Sequence, residues 1–387
     1  MFNPFALASK KLGNNSCYPI SKNPFKQYWE RFFRNKLNLT LFILFWILLI
    51  SLLFATFFIR NSPISSIDSQ TTLVNNLPSE YNREITRSFQ RGYELDFIRN
   101  IEKIETKLAY EANRNPIFSI TFDSARDLGG EQTIHTDTVT LIYNPYNLIL
   151  AINSMNENKI NLAQGLFLGT NSAGIDIYSR IVVSIWVTFA IIFIAIFINI
   201  IFGFNLAVFV YLYRKNFIVK FLTKLIDALS VIPEIIWVFL LSIFLGTNWY
   251  SLLISLIIVC WISYYKFCLD QVIILYKQEF ILAAKSTGSS DWKIAYNHIF
   301  SYVYADILII MVERFSINIL IASGLAFLDF INETNNINIG SVLKEAIILI
   351  HLNPAYLITI SSIIFVFTLV LKLLSTSFAN NFNPKLV

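Results

Sequence analysis

Blocks of apolar residues limit the fold of this 387-residue chain more than any other feature of its sequence. A helix needs about 20 apolar residues to cross the hydrocarbon core of a bilayer. Six such blocks lie at about 37–59, 181–213, 217–245, 249–267, 303–330 and 356–374. Several exceed the minimum length, which predicts tilted helices or helical extensions beyond the bilayer.

The composition favours a membrane protein and excludes a soluble enzyme. Only 14% of the residues are charged and 55% are hydrophobic, whereas soluble proteins carry about 25% charged residues. Three cysteines and three histidines are too few for a disulfide framework and show no metal-ligand spacing. We therefore expect an all-α polytopic membrane protein without a metal site.

The charges that flank the apolar blocks predict the orientation of the chain. The tail 1–36 carries seven basic residues and one acid, so the positive-inside rule puts the N-terminus in the cytoplasm. No small-residue cleavage site follows the first block, so we expect helix 37–59 to be retained. Six crossings return the tail 378–387 to the same side. The net charge of +5 then reflects topology and predicts no nucleic-acid partner.

The segment 60–180, expected outside the cell, differs from the rest in composition because it is charged and lacks a spanning block. Residues 79–113 have a helical spacing of apolar residues. Two strands are predicted at 117–122 and 138–143, separated by a turn at Gly129 and Gly130. This pattern favours a small α/β-like external insert, and a solvated spacer is the alternative.

Residues 277–301, between the fourth and fifth blocks, have the pattern of a helical hairpin on the cytoplasmic side. A short helix over 279–287 would end at Gly288 in a left-handed conformation. One of the two serines that follow can cap a second helix. Ala283 and Ala284 would leave a low surface for a partner's backbone, whereas an ordinary connecting loop would not need this spacing.

This hairpin resembles the coupling-helix motif of ABC importer permeases, in the form found in oligopeptide and dipeptide permeases. The matching residues are Glu279, Phe280, Ala283, Ala284, Gly288, Ser290, Asp291, His298 and Ile299. The glutamate of the strict motif falls on Leu282, and its final Leu-Pro falls on Phe300 and Ser301. The resemblance implies that Glu279, Ala283, Ala284, Gly288 and Asp291 couple this chain to an ATPase.

A second segment, just before the block 181–213, is similar to the L-G-T-D-x-x-G-R-D-x-x-S-R signature of the C-type permease subunit. The matching residues are Leu168, Gly169, Thr170, Gly174, Asp176, Ser179 and Arg180. Asn171 replaces the acid of the signature and Ile175 replaces its first arginine. The resemblance covers residues 31–37 and about 165 to the end, whereas 70–164 has no counterpart in it.

The resemblance implies a type I ABC importer permease fold, with a core at 181–377, in a bacterial importer of oligopeptides. Its partners would be a second homologous permease, two ABC ATPases that bind ATP and Mg, an extracellular substrate-binding lipoprotein and the peptide. The sequence has no phosphate-binding G-x-x-x-x-G-K-[ST] loop, so we expect a transport subunit that binds no cofactor and is not an enzyme. Nickel or another small solute is an alternative substrate, and a membrane sensor is an alternative of another class.

Five of the charged residues within the apolar blocks are candidates for the solute path or for intramembrane ion pairs, because each needs a partner or water. Lys224 and Asp227 are three residues apart on one helix face, which predicts an ion pair, with a substrate contact as the alternative. Glu234 follows the kink expected at Pro233 and either lines a water-filled path or faces another helix. Glu313 and Arg314 are expected to pair across a subunit interface, with a pore lining as the alternative.

Overall fold

The computed structural model describes residues 24–127, 138–155, 159–246, 249–325 and 337–382. The described residues are mostly helical and include one small sheet. The elements are α1 (Pro24–Arg34), α2 (Lys36–Thr56), β1 (Ile85–Gln90), α3 (Tyr93–Glu111), β2 (Ile120–Asp123), α4 (Ser124–Asp127), β3 (Thr138–Tyr143), α5 (Pro145–Met155), α6 (Ile177–Leu212), α7 (Phe217–Leu229), α8 (Glu234–Leu245), α9 (Trp249–Leu275), α10 (Glu279–Ser286), α11 (Asp291–Ile294), α12 (Phe300–Gly324), α13 (Ile339–Ile348) and α14 (Pro354–Phe382).

The predicted membrane helices are present. Helices α2, α6, α9, α12 and α14 are long and apolar enough to cross a bilayer, and α7 with α8 supplies a sixth crossing if the pair is one span. Their buried faces meet in a core that includes Ile192, Leu256, Ile319 and Ile360. The expected helical membrane bundle with a small inserted sheet is therefore confirmed.

The contact between α6 and α9 is the most extensive helix–helix contact of the bundle. It depends on Gly203 of α6, because a Cβ there would lie 2.8 Å from the backbone nitrogen of Tyr265 on α9. Such close approach of two backbones requires a residue without a side chain. The two helices thus form the rigid centre against which the shorter elements pack.

The third apolar block departs from the predicted span because it forms two helices, α7 and α8, whose axes differ by 92°. Pro233 stands at the break, immediately before α8. Proline cannot donate the backbone hydrogen bond of a helix interior, and its ring disfavours helical conformation in the preceding residue. The expected kink is therefore confirmed as a full change of direction.

The insert between α2 and α6 contains an antiparallel sheet in the order β1-β3-β2, on which α3 and α5 pack. Strand β3 lies where it was predicted, and β2 begins three residues later than expected. The prediction of one helix over 79–113 is wrong, because β1 occupies 85–90 and Gly92 precedes α3. Ile85 and Phe89 are four residues apart, which fits a helix, but they share the inward face of β1. The predicted turn at Gly129 and Gly130 lies outside the described residues.

Candidate functional site

The hairpin formed by α10 and α11 has the local geometry that its sequence predicts. Gly288 has a φ of +83°, and its N–H donates to the carbonyl of Lys285 at 3.0 Å. The N–H of Ser289 donates to the carbonyl of Ala284 at 3.2 Å, which completes a Schellman motif. Ser290 then caps α11 by accepting a hydrogen bond from the N–H of Lys293. The predicted helix, left-handed glycine and serine cap are all confirmed.

Polar contacts close the hairpin and tie it to the end of α9. Lys285 Nζ lies 3.0 Å from Asp291 Oδ1 and 5.0 Å from the centre of the Tyr276 ring. The Tyr276 hydroxyl donates to the backbone carbonyl of Asp291 at 3.1 Å. Burial, together with the charge of Asp291, raises the pKa of Tyr276 to about 12, so the hydroxyl keeps the proton that it donates.

Apolar residues anchor the hairpin to the bundle more firmly than these contacts do. Ile281, Ile294 and Ile299 are fully buried in one cluster with residues of α6, α7, α9 and α12. A π-helical turn over Ala295–Ile299 joins α11 directly to α12. The hairpin therefore continues into α12 with no loop between α11 and α12.

The residues assigned to coupling do not share one environment. Glu279, Ala283, Gly288 and Asp291 are exposed, whereas Ala284 is half-buried and packs on the cluster below the hairpin. Leu282, which stands at the position of the strict motif's glutamate, is 56% exposed. The exposed surface of α10 is therefore small and partly apolar, which suits close packing against another protein.

The signature before α6 builds a tight junction between the insert and the bundle. Gly169 has a φ of +76°, and a Cβ there would lie 2.0 Å from the carbonyl oxygen of Leu77. The Thr170 hydroxyl donates to the carbonyl of Val74 at 2.6 Å and accepts from the N–H of Leu77 at 2.8 Å. Asp176 caps α6 by accepting hydrogen bonds from backbone N–H groups of its first turn.

A buried ion pair lies at the centre of this junction. Arg180 Nε donates to Glu345 Oε2 of α13 at 2.8 Å, with side-chain exposures of 0% and 4%. Asn171 Nδ2 donates to the other carboxylate oxygen at 2.8 Å, and Arg180 also donates to the carbonyl of Pro63. Gly174 adds to the junction, because its carbonyl accepts a hydrogen bond from the N–H of Ile67 at 2.9 Å. These signature residues thus hold the start of α6, the insert and α13 together.

The intramembrane charges pair differently from the predictions. Asp227 Oδ1 lies 3.5 Å from Lys266 of α9, so the predicted pairing of Lys224 with Asp227 is wrong. Packing of α8 on α9 brings the end of α7 to Lys266, and Lys224 is exposed one turn earlier.

Glu313 and Arg314, for which pairing across a subunit interface was expected, both have partners within this chain. Glu313 is bonded to Lys372 of α14, and Arg314 Nη1 lies 3.0 Å from both carboxylate oxygens of Glu234. Adjacent residues on α12 point about 100° apart, which explains why one reaches α14 and the other α8. Glu234 therefore faces neighbouring helices and also accepts a hydrogen bond from Ser263.

Sequence reasoning missed four partners in these contacts: Ser263, Glu345, Lys266 and Lys372. A charged residue inside an apolar block indicates that it needs a partner, and Lys266 and Lys372 both lie in such blocks, so this pattern could have identified them. Glu345 and Ser263 carried no usable signal, because their role depends on helices that are distant in the sequence.

These features define a multi-pass membrane protein with a two-helix hairpin at one end of its bundle. Residues 200–387 match the family described as the binding-protein-dependent transport system inner membrane component. This part of the chain, which includes the hairpin, α8 and α12, is therefore similar to the inner membrane component of such transport systems and fits the type I permease fold. The signature residues Gly169 to Arg180 lie before the matched region.

Two known permeases are similar in sequence to this chain. The glutathione transport system permease protein GsiD of Pectobacterium atrosepticum is 23% identical over 220 residues, which cover 57% of this chain and 73% of that protein. GsiD of Escherichia coli O6:K15:H31 is 25% identical over 220 residues, covering 57% and 72%. The chain is similar to these permeases over more than half of its length.

Proposed function

We propose that this chain is the C-type permease subunit of a bacterial ATP-driven importer of oligopeptides. The observation that carries the proposal is the α10–α11 hairpin, which buried apolar residues anchor in the bundle and which continues into α12 without an intervening loop. It would form the translocation path with a second homologous permease. Glutathione, the solute named for the relatives, is a peptide, which favours a peptide substrate over nickel.

The ATP-dependent step would take place in two separate ATPase subunits that bind ATP and Mg. Closure of the ATPase pair would move the docked hairpin, and α12 would follow because it continues directly from α11. The bundle would then shift between outward and inward openings, with nucleotide and ligand biasing one equilibrium. Glu279, Ala283, Ala284, Gly288 and Asp291 would form or support the docking surface.

The orientation in this proposal puts both termini in the cytoplasm and the insert outside. An extracellular substrate-binding lipoprotein would deliver peptide to the outer face, where the insert offers an additional docking surface. The insert suits this role because it has its own buried core, including Leu95, Phe118 and Leu141. A surface with its own core can bind a partner without being reorganised.

A disulfide crosslink tests the hairpin directly. Ser286→Cys, in a chain whose three native cysteines are replaced, should crosslink to an ATPase subunit that carries a cysteine in its permease-facing groove. Thr106→Cys is the matched control, because both hydroxyls are exposed on helices and bond only to a nearby backbone carbonyl. Crosslinking from Thr106→Cys, or none from Ser286→Cys, would contradict the proposal.

A further inference from the structure

The break between α7 and α8 lies at the depth where a membrane protein least tolerates irregular backbone. Ser263 and Arg314 lie near the middle of the spanning helices α9 and α12, and both contact Glu234, the first residue of α8. The break therefore lies level with the middle of these two spanning helices. Val231, within the break, is 81% exposed.

Such a break cannot face lipid. Non-helical backbone and ionised side chains at this depth occur only where protein covers them or where they line a water-filled cavity. In transporters with discontinuous helices, the free N-terminal amides of a half-helix bind anionic groups of the solute. The N-terminus of α8 is of this type, because Pro233 provides no side-chain cap.

Arg314 and Ser263, near the start of α8, together bind a carboxylate group. In this structure that carboxylate belongs to Glu234 of the same chain. The Glu234 carboxylate accepts hydrogen bonds from the Arg314 guanidinium, at 3.0 Å, and from the Ser263 hydroxyl. The side chains of Glu234 and Arg314 are each about one-fifth exposed. One turn from Arg314, the fully buried Asn318 has an Nδ2 group without a hydrogen-bond partner among the described residues. Its Oδ1 faces Cys260 of α9, so the amide lies in the same α9–α12 seam.

We propose that Glu234, Ser263 and Arg314 form a solute-binding site at the α7–α8 break, in which Glu234 holds the place of the solute's free carboxylate. The inference rests on the proposed function and names the solute class that the path recognises, a short peptide with free termini. Its carboxylate would bind Arg314 and Ser263, and its ammonium group would bind the displaced Glu234. A zwitterion provides a partner for each of the two charges, whereas a solute with a single charge would leave one of these half-buried side chains unpaired, which costs more.

The test uses the complete importer, with binding protein and ATPases, reconstituted in liposomes. Uptake of dialanine is compared with uptake of its C-terminal amide, for the wild type and for the double variant Glu234→Gln/Arg314→Gln. The control is Glu313→Gln/Lys372→Gln, which removes the neighbouring ion pair of α12. Since the binding protein is the same throughout, a changed preference must arise in the permease.

We expect the wild type and the control to prefer dialanine to the same degree, and the double variant to lose about tenfold of that preference. Arg314→Lys keeps the charge but loses the planar guanidinium, so it should lose part of the preference and serves if the double variant does not assemble. An unchanged preference in both variants would overturn the inference. A wild-type importer that takes up no peptide would instead contradict the proposed function.

Discussion

Single residues show how this chain departs from the signature that it resembles. The signature has an acid and an arginine where this chain has Asn171 and Ile175, so both charges are replaced together. The two residues remain in contact, because the N–H of Ile175 donates to Asn171 Oδ1 at 2.8 Å. Asn171 Nδ2 can then donate to Glu345, which an ionised aspartate could not do.

Asn171→Asp should therefore destabilise the junction at neutral pH. It removes a hydrogen bond to a charged group and sets two carboxylates side by side, at a cost of about 2–3 kcal/mol. The thermal midpoint of the purified protein should fall, and less so at acidic pH where one carboxyl is protonated. Asn100→Asp on the exposed surface of α3 is the control. Equal midpoints for the two variants would contradict this role of Asn171.

Two glycines with positive φ should respond differently to alanine. Around Gly288 the space for a Cβ is open, so Gly288→Ala should cost only the left-handed conformation, about 1–2 kcal/mol. Gly169→Ala adds a clash with a backbone carbonyl and should prevent stable expression. Detergent-solubilised yield and thermal midpoint measure both effects. A Gly169→Ala protein as stable as Gly288→Ala would disagree with the junction described above.

At the scale of an element, two adjacent residues of α10 have different roles in the hairpin: one anchors it to the bundle and the other lies on the surface proposed for docking. Ile281 is fully buried below α10, and Leu282 is exposed on its outer surface. Ile281→Ala should cost about 2–4 kcal/mol of stability through the cavity that it leaves. Leu282→Ala should leave the thermal midpoint unchanged and lower the ratio of peptide uptake to ATP hydrolysis. A lower midpoint for Leu282→Ala would show that the residue is structural.

The insert carries its own pH-dependent contact at the end of α3. Glu105 is buried, and its Oε1 lies 2.6 Å from Arg114 and accepts from the N–H of Ile117. Burial raises the pKa of Glu105. The hydrogen bonds from Arg114 and from the Ile117 amide, together with the charge of Arg114, lower it by more, so the pKa lies below its ordinary value. A lowered pKa in the folded state stabilises the fold above the pKa of the unfolded chain.

The stability from Glu105 should thus be present near neutral pH and lost as the pH falls through the lowered pKa. The protection factors of α3 amides, measured by hydrogen-exchange mass spectrometry and corrected for the intrinsic exchange rate at each pH, should fall below about pH 4.5. Glu105→Gln should have lower protection factors at neutral pH, and these should change less with acid. Glu111→Gln, at an exposed site of the same helix, is the control. Identical pH profiles for Glu105→Gln and the wild type would exclude this contact as the cause.

At the scale of the whole molecule, the described residues of the insert meet the bundle at the junction around Gly169 and Arg180, so the insert can be removed there. The N–H of Glu80 lies 3.0 Å from the carbonyl of Leu166, and a short glycine linker can therefore replace residues 82–163. The Gly169–Leu77 and Arg180–Glu345 contacts remain in this shortened chain. We expect it to assemble with its partners and to bind the substrate-binding protein at least about tenfold more weakly. Unchanged affinity would contradict the docking role of the insert.

What the sequence determined by itself is local. The apolar blocks, the turn at Gly288, the cap at Ser290 and the strand Thr138–Tyr143 are each marked by the pattern of residues within a short stretch of sequence, so each could be predicted. The tertiary structure alone decided the partners of Asp227, Glu313 and Arg314 and the strand at 85–90. The physical reason is the same in each case, because these ion pairs and this strand pairing join groups that lie far apart in the chain. Only the packing of α8, α9, α12 and α14, and of β1 on β3, brings those groups within reach.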